Sequence, residues 1–262
     1  MTVWRLIPPF SASGAVHMAL DAWLLEQHIQ GNHPPTLRFY TWEPAAISLG
    51  YHQRHYPDHW NTLIWQGRSL DIVQRPTGGR AVLHQGDLTY AVITSGLSGS
   101  RMESYRQICE FLIQGWRSLG VELQYGEAGR GYIHNPNCFG TATAADLIVS
   151  NGYKLIGSAQ KRCANAILQH GSIRLHPDLT IFQQVFQSES IEPIAPNFVL
   201  EKTSVKPVIA ALIESAQACF NSEFQLEPLS DLEWNLLQKF STSNPKLYFS
   251  TASIAESANA AI

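Results

Sequence analysis

Apolar and polar positions recur along this chain with two periods, and the change from one to the other separates predicted strands from predicted helices. Residues 2–6 alternate as a short strand. Val16, Leu20, Trp23 and Leu24 then recur at helical spacing and predict a helix over 17–26. Strand-like runs follow at 36–41, 45–50 and 87–94, and Tyr105, Ile108, Cys109, Leu112 and Trp116 line one face of a second helix that Gly120 stops. Short strands are predicted at 121–125, 145–150, 153–159 and 166–175, with Asn151-Gly152 as a hairpin turn. Beyond Pro177 about two helices are expected, one carrying the stripe Val205, Val208, Ile209, Leu212, Ile213, Ala216 and Phe220. Strands in the middle and helices at both ends predict an α+β domain with a mixed or largely antiparallel sheet flanked by helices. It is expected to span residues 1–240, with C-terminal helices from about 177 and a frayed tail over 241–262.

Composition narrows the function. Apolar residues make up 45% of the 262 and charged residues 15%, as in an ordinary globular protein. Eighteen Lys and Arg against 21 Asp and Glu leave a formal charge of −3, which supplies no basic field for nucleic acid, and no block of like charges favours a membrane surface. The N-terminus has no basic region followed by an apolar stretch of signal-peptide length, and no apolar run is long enough to span a bilayer, so a cytoplasmic protein is expected. Cys109, Cys138, Cys163 and Cys219 form no Cys-x-x-Cys pair, which argues for thiols rather than a zinc knuckle or redox dithiol. Cys109 and Cys219 fall on apolar helix stripes and are expected to pack rather than react.

Candidate chemistry gathers in a few segments. Arg75-Pro-Thr-Gly-Gly-Arg-Ala-Val-Leu-His84 places Gly78 and Gly79 in a turn that can approach a ligand closely, with Arg75 and Arg80 beside it as donors for an anion. Cys138 stands in Asn135-Pro-Asn-Cys-Phe-Gly140, among turn residues without apolar periodicity, and is expected to be a loop thiol. A hairpin at Asn151-Gly152 can fold Lys154 toward it, and an ammonium near a thiol favours the nucleophilic thiolate. Gly157-Ser158 and Gln169-His170-Gly171-Ser172 offer close backbone approach and donors. His84 and His170 can each serve as a base or as a satisfied structural side chain. His52, His55 and His59 share a loop without cysteine or paired carboxylate at metal-site spacing, so no metal is expected there. Nucleophile-elbow, dinucleotide and P-loop motifs are absent.

Several of these segments together resemble the biotin/lipoate protein ligase family. The resemblance rests on 75–84 with Thr77, on Asp87-Leu-Thr-Tyr90, on Lys154-Leu-Ile-Gly-Ser-Ala-Gln160 and on Leu168-Gln-His-Gly-Ser172. Met18-Ala-Leu-Asp21 and Ile47-Ser-Leu-Gly-Tyr51 with Gln53 match its N-terminal blocks. It spans roughly residues 1–240 and implies that family's catalytic-domain fold. Asn137-Cys-Phe139 upstream of the lysine resembles the branch of octanoyltransferases with a cysteine nucleophile. That branch implies octanoyl transfer from acyl carrier protein to a lysine of lipoyl domains of 2-oxoacid dehydrogenase complexes or of the glycine cleavage H protein. It further implies that Cys138 accepts the acyl group, that Lys154 is its acid/base partner and that no cofactor is needed. Arg75, Thr77, Gly78, Gly79, Arg80, His84, Gly157, Ser158, Ala159, His170 and Gly171 are then the substrate-binding residues. Two departures stand out: residues 135–145 are richer in Thr and Ala than the family pattern, and no separate accessory domain is visible after Asp178. An ATP-dependent lipoate-protein ligase, requiring ATP and magnesium, is the alternative, and a non-catalytic lipoyl-domain or acyl-binding relative is the third reading.

Overall fold

The computed structural model describes residues 2–126, 145–187, 196 and 204–244. Strand β1 (Thr2–Ala12) leads into α1 (Gly14–Ile29), where the Ser13 side chain accepts from the Val16 amide and closes the first turn. Then come β2 (Thr36–Trp42), β3 (Ala46–Leu49), a 3-10 turn (Asp58–Thr62) and the short ribbon of β4 (Ile64–Trp65) and β5 (Arg68–Ser69). Strands β6 (Asp71–Gln74), β7 (Val82–His84) and β8 (Asp87–Ser95) precede α2 (Arg101–Ser118), which a reciprocal Ser100–Glu103 capping box starts. Short β9 (Gln124–Tyr125) and β10 (Leu147–Ile148) are followed by the long pair β11 (Lys154–Cys163) and β12 (Ala166–Arg174). The chain closes with α3 (Leu179–Phe186), α4 (Val205–Phe220), β13 (Ser222–Leu226) and α5 (Asp231–Ser243).

Among the described residues the main sheet has eight strands in the order β13-β1-β2-β8-β12-β11-β10-β9, and a smaller sheet has the order β6-β3-β7. Pairing is parallel at β13-β1, β1-β2 and β3-β6 and antiparallel elsewhere in both sheets, so the mixed sheet flanked by helices is as the sequence predicts. Both faces of the main sheet are covered. Along β8, Leu88, Tyr90 and Val92 join the cluster beneath α2 and α4, while Ala91 and Ile93 join the one beneath α1 and α5. This two-residue alternation between two buried faces makes 90–93 read as a continuous apolar run.

The structure also departs from the sequence reading. β1 runs to Ala12 across Pro8-Pro9, and the register with β2 shifts between Ile7 and Phe10, where the missing N–H groups cost no ladder bonds. The runs 121–125 and 145–150 shrink to two-residue strands. β11 extends through the polar segment Gln160–Cys163 because β12 pairs with it from Ile156 to Cys163 and supplies hydrogen bonds that sequence polarity does not announce. Among the described residues three helices follow Pro177 where about two are expected, with the last set by a Ser230–Glu233 capping box, and β13 adds a parallel strand at the sheet edge beside β1. No helix among the described residues is long and apolar enough to cross a membrane.

Candidate active site

A cavity of about 290 Å³ opens between the main sheet, the loop joining β6 to β7, and the start of α2. Met18, Tyr40, Trp42, Val82, Met102 and Tyr105 give it broad apolar walls. Lys154, Gly157, Ser158 and Ala159 enter from β11 and His170 and Gly171 from β12; Arg75, Gly78, Gly79 and His84 enter from the small sheet and its loop. Ten predicted site residues are thereby brought to one cavity. Thr77 and Arg80 do not line it. Cys138 lies outside the described residues.

The loop turns for a different reason than its sequence implies. Gly79 has φ of +99°, and a Cβ there would come 2.7 Å from an Arg75 nitrogen; Gly78 has no such conformation and a Cβ on it would meet nothing within 4 Å. Only Gly79 is needed for the turn, and Gly78 leaves open space at the cavity. Across the loop, the carbonyl oxygen of Gly79 occupies the place of a Gly50 side chain, 1.8 Å from an ideal Cβ.

Arg75 corrects the expectation that its donors face an anion. Nε donates to the Gly78 carbonyl at 3.2 Å; one terminal nitrogen donates to the Ser48 carbonyl and hydroxyl at 2.9 and 3.2 Å; the other donates to the carbonyls of Gly78 and Arg80 at 2.8 and 2.7 Å. The guanidinium has five N–H donors, so the loop and β3 occupy them all. Arg75 is therefore a clamp that shapes the loop, while its charge remains at the cavity wall.

Lys154 is buried and lies 3.0 Å from the equally buried Asp146 carboxylate. A buried ammonium requires such a counter-charge. Asp146 carries no sequence signal of its own: it stands at the end of a Thr- and Ala-rich stretch and is recognisable only from its partner. Further along β11, Ser158 lies opposite Gly171 of β12. The Tyr90 hydroxyl donates to Ser158 Oγ at 2.8 Å, and a Cβ at Gly171 would collide with Ser158 Oγ at 2.5 Å and with the Tyr90 ring at 2.7 Å. Glycine at 171 thus keeps the Ser158 hydroxyl at the wall.

Both predicted histidines are held in the same way, a carboxylate on Nδ1 and a hydroxyl on Nε2. His170 Nδ1 lies 2.8 Å from Asp21 and Nε2 lies 2.6 Å from Thr77 Oγ1. Asp21 also accepts from Arg38 and Tyr40, at 3.0 and 2.8 Å, inside a network that includes His17. His84 Nδ1 lies 2.8 Å from Asp87 Oδ2 and Nε2 lies 2.8 Å from Ser48 Oγ. The carboxylates accept, which fixes the N–H on Nδ1 in each ring. Burial lowers the His84 pKa against the opposing pull of Asp87. The histidine loop contributes no wall residue; instead His59 Nε2 donates to the Gln184 and Val185 carbonyls at the end of α3, both at 3.2 Å. Among the described residues no group of three potential metal ligands converges.

The mixed sheet flanked by helices that carries this cavity is a lipoate-ligase-like fold. The crystal structure of lipoate-protein ligase A bound with ATP has a TM-score of 0.74 to this chain at 22% identity, covering 91% of this chain and 94% of that one. Residues 13–214 match the family model described as the lipoyl protein ligase A/B catalytic domain, and the chain belongs to this family. It is similar to octanoyltransferase LipM of Kyrpidia tusciae, 42% identical over 188 residues that make up 68% of each chain. It is also similar to octanoyltransferase LipM of Bacillus subtilis, 36% identical over 238 residues and 85% of each chain. It is an acyltransferase of that family.

Proposed function

We propose that this chain transfers an octanoyl group from acyl carrier protein to a lysine of lipoyl domains, through a thioester on Cys138. The observation that carries the reading is the buried Lys154–Asp146 pair in the wall of an apolar cavity, in a chain whose relatives are octanoyltransferases. An eight-carbon chain gains about 0.8 kcal/mol for each CH2 it withdraws from water, which suits walls of Met, Trp, Val and Tyr. Cys138 precedes the wall residue Ala145 by seven positions in sequence.

In this reading the Cys138 thiolate attacks the acyl carbonyl of the donor thioester, and the Lys154 ammonium gives a proton to the departing thiol. The acceptor lysine, as its neutral amine, then attacks the acyl-cysteine; its proton passes to the Lys154 amine, which regains the ammonium form, and the carbon–sulfur bond breaks to restore the Cys138 thiolate. Ser158 and the backbone at Gly157 and Gly78 hold the carbonyl end. Activation comes with the donor, so no cofactor is required. The acceptors are lipoyl domains of 2-oxoacid dehydrogenase complexes or the glycine cleavage H protein.

The test offers wild type and Cys138→Ser two donors, each with a lipoyl domain. Octanoyl-acyl carrier protein without ATP or magnesium should support transfer by wild type only, with an octanoyl mass increment on Cys138. ATP-dependent lipoylation that survives the serine substitution, with no transfer from the carrier protein, would instead establish the ligase reading. No modification from either donor would leave the non-catalytic one.

A further inference from the structure

We propose that Ser48, His84 and Asp87 form a second acyl-processing centre in the cavity, a serine hydrolase that cleaves medium-chain acyl esters and thioesters without using Cys138. The three groups stand in the order such chemistry needs, with Ser48 Oγ 2.8 Å from His84 Nε2 and His84 Nδ1 2.8 Å from Asp87 Oδ2. Asp87 Oδ2 also accepts from Ser172 Oγ at 2.7 Å and Thr89 Oγ1 at 3.2 Å, so the carboxylate is fixed before it orients the ring. The imidazole stacks on Trp42, with centroids 3.8 Å apart, and Trp42 Nε1 is itself tied to Thr89 Oγ1 at 2.8 Å. Nothing in this chain of contacts leaves His84 room to turn away.

Two further observations favour reactivity over packing. Ser48 and His84 both line the cavity where an acyl chain would lie. An Arg75 nitrogen stands 3.2 Å from Ser48 Oγ, where positive charge stabilises developing alkoxide. The parallel set of Thr77, His170 and Asp21 lacks the first of these features, because Thr77 does not reach the wall. Burial lowers the His84 pKa, and the Asp87 carboxylate opposes that by favouring the protonated ring.

The step is balanced with water as co-reactant. Ser48 Oγ bonds to the acyl carbon as its proton passes to His84 Nε2; the carbon–sulfur or carbon–oxygen bond breaks, and the leaving thiol or alcohol takes that proton. Water then attacks the acyl-serine, giving one proton to His84, and the acid departs as Ser48 regains it. The result is a carboxylic acid and a free thiol or alcohol.

The experiment uses p-nitrophenyl octanoate and an octyl fluorophosphonate with the full chain, as wild type and as Cys138→Ala. Hydrolysis should persist in Cys138→Ala, and peptide mass spectrometry should place the phosphonate on Ser48 in both proteins. Ser48→Ala and His84→Gln, each added to Cys138→Ala, should lower hydrolysis on the order of 10²- to 10⁴-fold. Because label mapping is done with Ser48 and His84 intact, it does not depend on how those two variants fold. Hydrolysis that vanishes with Cys138→Ala, or fluorophosphonate that leaves Ser48 unmodified, would overturn the proposal. The first outcome would place the acyl chemistry on Cys138 alone, whereas an unmodified Ser48 leaves acyl transfer through Cys138 untouched.

Discussion

Lys154 Nζ lies 3.0 Å from Asp146 Oδ2, with both side chains almost completely withdrawn from solvent. Breaking a buried pair from one side costs about 3–5 kcal/mol, whereas replacing both members with apolar groups of similar size is often neutral. Asp146→Asn should therefore lower stability by a few kcal/mol in urea denaturation, and Lys154→Met with Asp146→Leu should recover much of it. Activity should follow the lysine instead: both Lys154→Ala and the double variant should lose on the order of 10²- to 10⁴-fold in transfer rate. Near-normal turnover in a folded Lys154→Ala protein would remove the lysine from the chemistry.

The backbone contact between Gly50 and Gly79 predicts a second outcome. Any side chain at position 50 must displace the Gly79 carbonyl, since the clash is with backbone rather than with a flexible tip. Gly50→Ala should cost about 1–3 kcal/mol, as overpacking does, and disturb the Arg75 clamp through the loop it holds. Gly78→Ala meets no atom within 4 Å and should leave the melting temperature nearly unchanged. Equal melting temperatures for the two variants would refute this account of the loop.

Thiol reactivity should separate the cysteines. Burial pushes the Cys109 thiol up to about 12, and Gln169 donates to its sulfur at 3.3 Å, so iodoacetamide at pH 8 should leave it intact in the native protein. Exposed Cys163 should react, and partly buried Cys219 more slowly. Cys109→Ala should cost about 1 kcal/mol and keep transfer activity. An acyl adduct mapped to Cys163 would reassign the nucleophile.

Acid should weaken the fold before the carboxylates titrate. Burial, reinforced by the Arg38 charge, lowers the His17 pKa well below its ordinary 6.5, and burial lowers those of His84 and His33. The unfolded chain then binds more protons than the native one from about pH 6.5 down to the folded values. Stability is fully present above that window and is lost as pH falls through it. Thermal melts between pH 8 and pH 5 should show the transition temperature declining below about 6.5, with the His17 imidazole still neutral by NMR there. A melting temperature that rises on acidification would contradict the buried neutral histidines.

Much of this was legible without coordinates. The spacing of Val16, Leu20, Trp23 and Leu24 located α1, the Cys109 stripe located α2, and the Gly-Gly turn, Lys154 and Gly157-Ser158 were all recognisable as one family's segments before any cavity was in view. Local signals of this kind survive in a sequence because burial repeats with the backbone's own period. What only the tertiary structure decided is which group faces which. Arg75 could be seen beside its turn, but its fate as a clamp depends on a carbonyl of β3, and Asp146 acquires meaning only at Lys154. The alignment of Ser48, His84 and Asp87 follows from antiparallel pairing that sets Ala46 opposite His84, and the exposure of Ser158 from a register that sets it opposite Gly171. Partners of this sort are chosen by strand register and by closure of the sheet over long sequence separations, and those are set by the packing of the whole domain rather than by any residue's neighbours in the chain.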